Sequence, residues 1–246
     1  MFSIYSARYG DRIIEYVKRS EQYQSTTSSQ YEETTEPSEE ITTENYDIDD
    51  TSGYNTESAQ PGFNADEIAK NLIVKDYTNF NEYYNNYYMV IENPSSYVVD
   101  IEVSVNYYDS SDKLTGTDSY SVYCVDAGKK ALFIFFPDEA FAKADYKISV
   151  KEPQWYVPAT NDIKYEVSEN PEKLVVTVKN TSDQDIDSVE GSAIFYKDGQ
   201  AIGSSMTFFV NSDYKLKAGE EISKELNCYE EYDSYEFFIY PKRSSQ

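Results

Sequence analysis

Histidine is absent from the 246-residue chain. That removes the usual general base, the Ser-His-Asp and Cys-His nucleophile pairs, and nearly all zinc, copper and haem sites. Carboxylates are the groups left for catalysis. A glycosidase-like pair needs two acids about 5 to 9.5 Å apart in a cleft, whereas the acids here gather in turns and in one polar segment. No catalytic residues and no cofactor are therefore expected, and a carboxylate-based enzyme is kept as an alternative. Two acidic motifs invite calcium. An EF-hand loop counted from Asp47 in Asp47-Ile48-Asp49-Asp50 places Ser52 where Gly is needed and Ser58 where Glu is needed. Asp109-Ser110-Ser111-Asp112 offers hard oxygen ligands at a spacing that matches no known loop. Calcium-stabilised adhesion stays a second alternative, with no metal ligand assigned.

The residue types that could grip a ligand are aromatic. The chain holds 26 tyrosines, which suit half-exposed sheet faces because an apolar ring carries a polar tip. Tyr83, Tyr84, Tyr87 and Tyr88 flank Asn85-Asn86, and a turn there would group them at one end of a module as a ligand patch. A hairpin with cross-strand aromatic pairs produces the same pattern. Trp155, the single tryptophan, lies between Pro153 and Pro158; it reads as a wedge that sets the angle between two modules, or else as a solvent-facing ligand grip. Cys124 and Cys228 occupy non-equivalent places and are expected as buried free thiols, since a bridge needs Cα atoms within about 7 Å. The Asn180-Thr181-Ser182 sequon falls on a turn that explains it without glycosylation.

The formal charge is −24, from 45 acidic against 21 basic residues. Such a chain does not neutralise phosphates, so nucleic acid is not a partner, and it does not dock on an anionic membrane surface.

The elements that position these residues are strands. Leu174–Gly203 reads as an alternating strand, a polar turn at Asn180–Asp183, a second alternating strand and a tight turn at Lys197-Asp198-Gly199. Val176, Val178, Ile186, Val189, Ala193 and Phe195 share one side. A looser copy runs from Tyr88 to Gly116, and Asp126-Ala127-Gly128-Lys129 matches Lys217-Ala218-Gly219-Glu220. The chain thus reads as all-β, with two tandem β-sandwiches over residues 63–157 and 158–246. Strands are predicted near Leu72–Tyr77, Tyr84–Glu92, Val98–Tyr108, Ser119–Val125, Lys130–Phe136 and Tyr146–Lys151 in the first. In the second they fall near Ile163–Val167, Leu174–Lys179, Ile186–Tyr196, Ser204–Val210, Glu221–Cys228 and Tyr235–Tyr240. The continuously apolar Ala131–Phe136 should be buried or lie at a contact between domains. Asn64 caps a short helix over Ala65–Asn71, with Glu67 at N3 and Phe63 stapled onto Ile68. Residues 1–24 form an N-terminal helical segment centred on Asp11–Arg19. Residues 25–62, rich in Ser, Thr and Glu, form a disordered acidic linker. No apolar run has the length of a signal peptide core or a membrane helix.

Lys179-Asn180-Thr181-Ser182, Ile194–Gly199 and Leu216–Glu220, with Glu92–Ser95 and Val105–Asp109 upstream, resemble the FxLYD-type immunoglobulin-like domains of extracytoplasmic proteins in Firmicutes. Val105 and Tyr107 stand where Phe and Leu would be, and Lys197 holds an Asp position. The resemblance covers about Leu72–Arg243 and rests on turns and core strands. It implies a membrane-anchored surface protein whose anchor is absent from this chain. The expected function is a non-catalytic, monomeric, extracytoplasmic module at a Gram-positive cell surface that binds an extracellular protein or glycan; were Met1 the natural start, the protein would be cytoplasmic.

Overall fold

The structure is a computed structural model that describes residues 60–210 and 214–245. The predicted helix over 11–19, the Asp47–Asp50 motif and most of the acidic segment lie outside these residues. One short helix, α1 (Ala65–Asn71), opens the described chain. The Asn64 carboxamide oxygen accepts the Glu67 N–H at 3.2 Å, as the Asn-x-x-Glu pattern predicts. Thirteen strands follow. The first six are β1 (Ile73–Phe80), β2 (Asn85–Glu92), β3 (Val99–Tyr108), β4 (Leu114–Val125), β5 (Lys130–Phe135) and β6 (Lys143–Lys151). A three-residue strand, β7 (Tyr156–Pro158), precedes β8 (Ile163–Asn170), β9 (Lys173–Asn180), β10 (Ser188–Lys197), β11 (Gln200–Val210), β12 (Glu221–Asn227) and β13 (Ser234–Ser244).

All pairing is antiparallel, in four sheets ordered β1-β2-β5, β4-β3-β6, β12-β9-β8 and β11-β10-β13-β7. β1, β2, β3, β4, β5 and β6 are arranged as β8, β9, β10, β11, β12 and β13 are, so the two halves share one strand order. Asp198-Gly199 closes β10 onto β11 with φ of 50° and 74°, the two-residue turn its sequence announces. Val176, Val178, Ile186, Val189, Ala193 and Phe195 are fully buried together.

Two apolar clusters hold the fold. One lies between the β12-β9-β8 sheet and one face of the β11-β10-β13-β7 sheet. The other joins the first two sheets and also takes in Ile194, Tyr196, Ala201, Phe238 and Tyr240 from the opposite face of β10, β11 and β13. Alternation along β10 accounts for this: Ala193 and Phe195 serve one core while Ile194 and Tyr196 serve the other. β2 and β5 are buried on both faces for the same reason, and the buried Leu132 N–H donates to the Tyr240 hydroxyl at 2.8 Å. At about 1.5–3 kcal/mol for each large side chain taken from water, this shared face contributes substantially to stability.

Several expectations need correction. Ala131–Phe135 is buried as expected, but Phe136 is exposed. Tyr156–Pro158 is a strand rather than connector: it pairs with Lys242, Arg243 and Ser244, extending β13 beyond the predicted Tyr240. The expected boundary at 157/158 therefore falls inside a strand of the second half. Trp155 wedges nothing, being 72% exposed just before this edge strand. Cys124 and Cys228 are free and buried, as expected.

The turn motifs are built around two buried asparagines. Asn93 donates to the carbonyls of Tyr97 (2.8 Å), Val125 (3.2 Å) and Asp126 (3.2 Å), and its oxygen accepts from the Ser95 N–H and hydroxyl. Asn180 donates to the carbonyls of Gln184 (2.7 Å) and Leu216 (3.0 Å), and accepts from the Ser182 N–H and hydroxyl. Their backbones bond the turns at Gly128 and Gly219, whose φ values of 69° and 75° suit glycine. The Asn-x-Ser and Ala-Gly motifs are thus two halves of one hydrogen-bonded corner, and the Asn180 amide is occupied inside it.

Candidate functional site

The tyrosines singled out by sequence separate into two pairs. The turn lies at residues 81–84, not at Asn85-Asn86, because the Asn81 side-chain oxygen accepts the N–H groups of Tyr83 (2.9 Å) and Tyr84 (3.0 Å) and closes the chain there. Asn85 and Asn86 then belong to β2. Tyr87 and Tyr88 are buried core residues on opposite faces of that strand and cannot join a surface patch. The Tyr87 hydroxyl donates to Asp76 at 2.9 Å, and burial with that carboxylate drives its pKa well up. Burial pushes Tyr88 up to about 12. Tyr83, at 82% exposure, and the partly exposed Tyr84 remain at the surface. Trp155 is also exposed, but precedes a strand that pairs with the end of β13.

Two segments that sequence reading did not connect with these tyrosines meet them. The Tyr84 hydroxyl donates to Glu230 at 3.4 Å, and the Asn85 amide donates to the Asp138 carbonyl at 3.2 Å. Phe80 and Phe141 stack edge to face at 5.0 Å. The β1–β2 turn, the β5–β6 connection (136–142) and the β12–β13 connection (228–233) therefore form one end of the described molecule. They present Tyr83 (82%), Phe136 (68%) and Tyr229 (67%) to solvent. Only tertiary structure could find Phe136 and Tyr229, which lie 53 and 146 residues beyond Tyr83.

Acidic side chains predominate at this end, with Lys197 of the adjoining β10–β11 turn acting on Asp233. Glu82, Asp138, Glu139, Glu230, Glu231 and Asp233 are exposed here, and the three segments hold no Lys or Arg. Hydrogen bonding to Glu82 raises the Tyr83 pKa. Burial chiefly raises that of Tyr84, with Glu230 adding to it. Asn86 is buried, and its amide donates to the Tyr88 hydroxyl at 2.8 Å, while its Oδ1 has no hydrogen-bond partner among the described residues.

A second polar cluster lies where β13 and β7 approach β4. Lys242 is 8% exposed, its ammonium 5.5 Å from the Tyr123 ring and 5.1 Å from the Tyr156 ring. Burial raises the pKa of Asp100 and of Glu190, and Lys242 partly offsets both shifts. Asp100 accepts the Cys124 N–H at 2.9 Å, and Cys124 adopts a φ of 58°. Burial, with Asp100 beside it, pushes the Cys124 thiol up to about 12, so it is protonated at neutral pH and a poor nucleophile. This arrangement suits holding strands together.

No helix among the described residues is long and apolar enough to cross a membrane. No protein-family profile and no curated protein matches the chain. Among solved structures, a transglutaminase of red sea bream aligns with 70% of this chain and 29% of its own length, at 9% identity and a TM-score of 0.24. The match spans less than a third of that enzyme, and at such a score it carries no argument about this chain.

Proposed function

We propose that this chain is a non-catalytic binding module, held outside a Gram-positive cell behind its acidic N-terminal segment, that engages an extracellular protein or glycan through the end carrying Tyr83, Tyr84, Phe136 and Tyr229. The observation that carries the reading is the convergence of three connections that leave large rings in solvent. Exposed aromatic rings grouped at a loop end are costly to leave in water and are the side chains that dominate binding surfaces. The common strand order and the matched Asn93 and Asn180 corners support reading the halves as tandem immunoglobulin-like repeats. Titration of the isotope-labelled full chain with soluble oligosaccharides and with basic, neutral and acidic peptides tests the reading. Amide shifts centred on residues 81–86, 136–142 and 228–233, abolished by Tyr83→Ala with Tyr229→Ala, are expected. Binding that leaves these residues unmoved would sink it.

A further inference from the structure

We infer that the occupant of this aromatic end is a cationic, arginine- or lysine-rich segment of a partner protein; the inference rests on the binding reading above. Three features of the end point to a ligand rich in hydrogen-bond donors and positive charge. Two of its amides are engaged within the fold: Asn85 donates to the Asp138 carbonyl and Asn86 to the Tyr88 hydroxyl. Acceptors outnumber them: six carboxylates are exposed, and although Glu230 takes the Tyr84 hydroxyl and Asp233 the Asp198 N–H and the Ser234 hydroxyl, carboxylate oxygens accept more than one donor. A sugar hydroxyl must both give and accept hydrogen bonds, whereas guanidinium offers five N–H donors and ammonium three, with no acceptor on either.

The rings supply the second feature. The face of an aromatic ring carries negative charge density that attracts a cation, and guanidinium also stacks on it as a plane. Hydroxyls that donate to carboxylates, as Tyr84 does to Glu230, strengthen that polarity. Exposed rings flanked by carboxylates, with no Lys or Arg in any of the three segments, repel anionic glycans and suit a positive partner. The third feature is extent. Three separate connections contribute, so the surface suits several cationic side chains of one segment better than one small amine. The chain's charge of −24 steers such a partner from a distance and leaves the converging end to select it.

The test uses the full chain and a fluorescent octa-arginine peptide. Octa-lysine, octa-glutamate, a neutral peptide of equal length, a chitosan hexamer and its fully N-acetylated form serve as competitors, at low and high salt. Octa-arginine should bind, with octa-lysine weaker and octa-glutamate not competing. Each of Tyr83→Ala, Phe136→Ala and Tyr229→Ala should weaken it by about two- to fivefold. Glu230→Gln with Glu231→Gln should weaken it severalfold, whereas Glu166→Gln with Asp183→Asn, the same charge change elsewhere, should leave it within about twofold. Equal loss with both charge pairs would reduce the effect to general attraction and overturn the inference. Binding of either hexamer to these rings without octa-arginine binding would also overturn it, while leaving the binding end in place. If no probe responded to any ring substitution, both the occupant and the binding end would be refuted.

Discussion

Asn180→Ala is the sharpest test of how the turn motifs work. The side chain is fully buried and makes four hydrogen bonds, to the Gln184 and Leu216 carbonyls and from the Ser182 N–H and hydroxyl. Two acceptors keep a second partner in the variant: Leu216 still receives the Ile186 N–H at 3.0 Å, and Gln184 the Ser182 hydroxyl at 3.0 Å. The loss is therefore less than four full penalties. With about 1 kcal/mol net for each bond and the polar groups left behind, the expected destabilisation is about 2–4 kcal/mol, a large share of an ordinary domain's stability. Urea unfolding followed by far-ultraviolet circular dichroism reads it as a lowered midpoint. Asn180→Asp sharpens the test, because a carboxylate facing two carbonyls cannot donate to either. It should be worse than alanine at pH 7, and its folded-state pKa should lie above the unfolded value near 4. A raised folded pKa means that stability is present at low pH and lost as pH rises, so Asn180→Asp should recover relative to wild type on acidification. Asn93→Ala should behave like Asn180→Ala. A change below about 0.5 kcal/mol in either alanine variant would refute the claim that these asparagines hold the corners.

Four further outcomes follow from the packing. Gly191→Ala would place a Cβ 2.7 Å from the Phe209 ring and 3.2 Å from Phe237; overpacking of this kind should cost about 1–3 kcal/mol in thermal or urea unfolding. Trp155→Ala should change stability by no more than about 0.5 kcal/mol, because the ring is in solvent, and Trp155 fluorescence in the native protein should be readily quenched by acrylamide. Glu190 has a folded-state pKa above its ordinary 4.5, so its contribution is present below that value and lost as pH rises through the folded pKa. Glu190→Gln should therefore stabilise the protein at pH 7, with the advantage vanishing near pH 4. Lys242→Met should destabilise by about 1–3 kcal/mol at pH 7, since Asp100 and Glu190 lose the cation that offsets their burial, and by less in acid.

The strands were legible because each core position is reported by its neighbours in sequence. Period-two alternation places Val176, Val178, Ala193 and Phe195 inward with no knowledge of their partners. The Asp198-Gly199 turn and the Asn64 cap are equally local. Alternation loses information where both faces are buried. Along β2, Tyr87, Tyr88, Met89, Val90 and Ile91 are all buried, and such a run does not say that one face joins the core with the β4-β3-β6 sheet while the other turns toward the β11-β10-β13-β7 sheet. The short β7 was also illegible: three residues between prolines carry no periodicity, and only the edge of β13 makes them a strand.

The candidate site shows the same limit from the other side. Tyr83, Tyr84, Tyr87 and Tyr88 look equivalent in sequence, yet a side chain's face depends on where the turn ends, and a turn placed a few residues late reassigns all four. The Asn81 oxygen fixes that point by taking the N–H groups of Tyr83 and Tyr84, so β2 starts at Asn85 and carries Tyr87 and Tyr88 into the protein. The residues that complete the exposed end, Phe136 and Tyr229, come from connections whose sequences hold no motif of their own. What brings them beside Tyr83 is that β1–β2, β5–β6 and β12–β13 close at that end, as β8–β9 and β10–β11 also do, together with the packing of β5 against β10 and β13 and of β1 against β11. The aromatic end is thus a property of how the two halves meet. A variant that loosened that contact, Tyr240→Phe for instance, which strips the Leu132 N–H of its acceptor, should weaken binding at the aromatic end while touching none of its side chains.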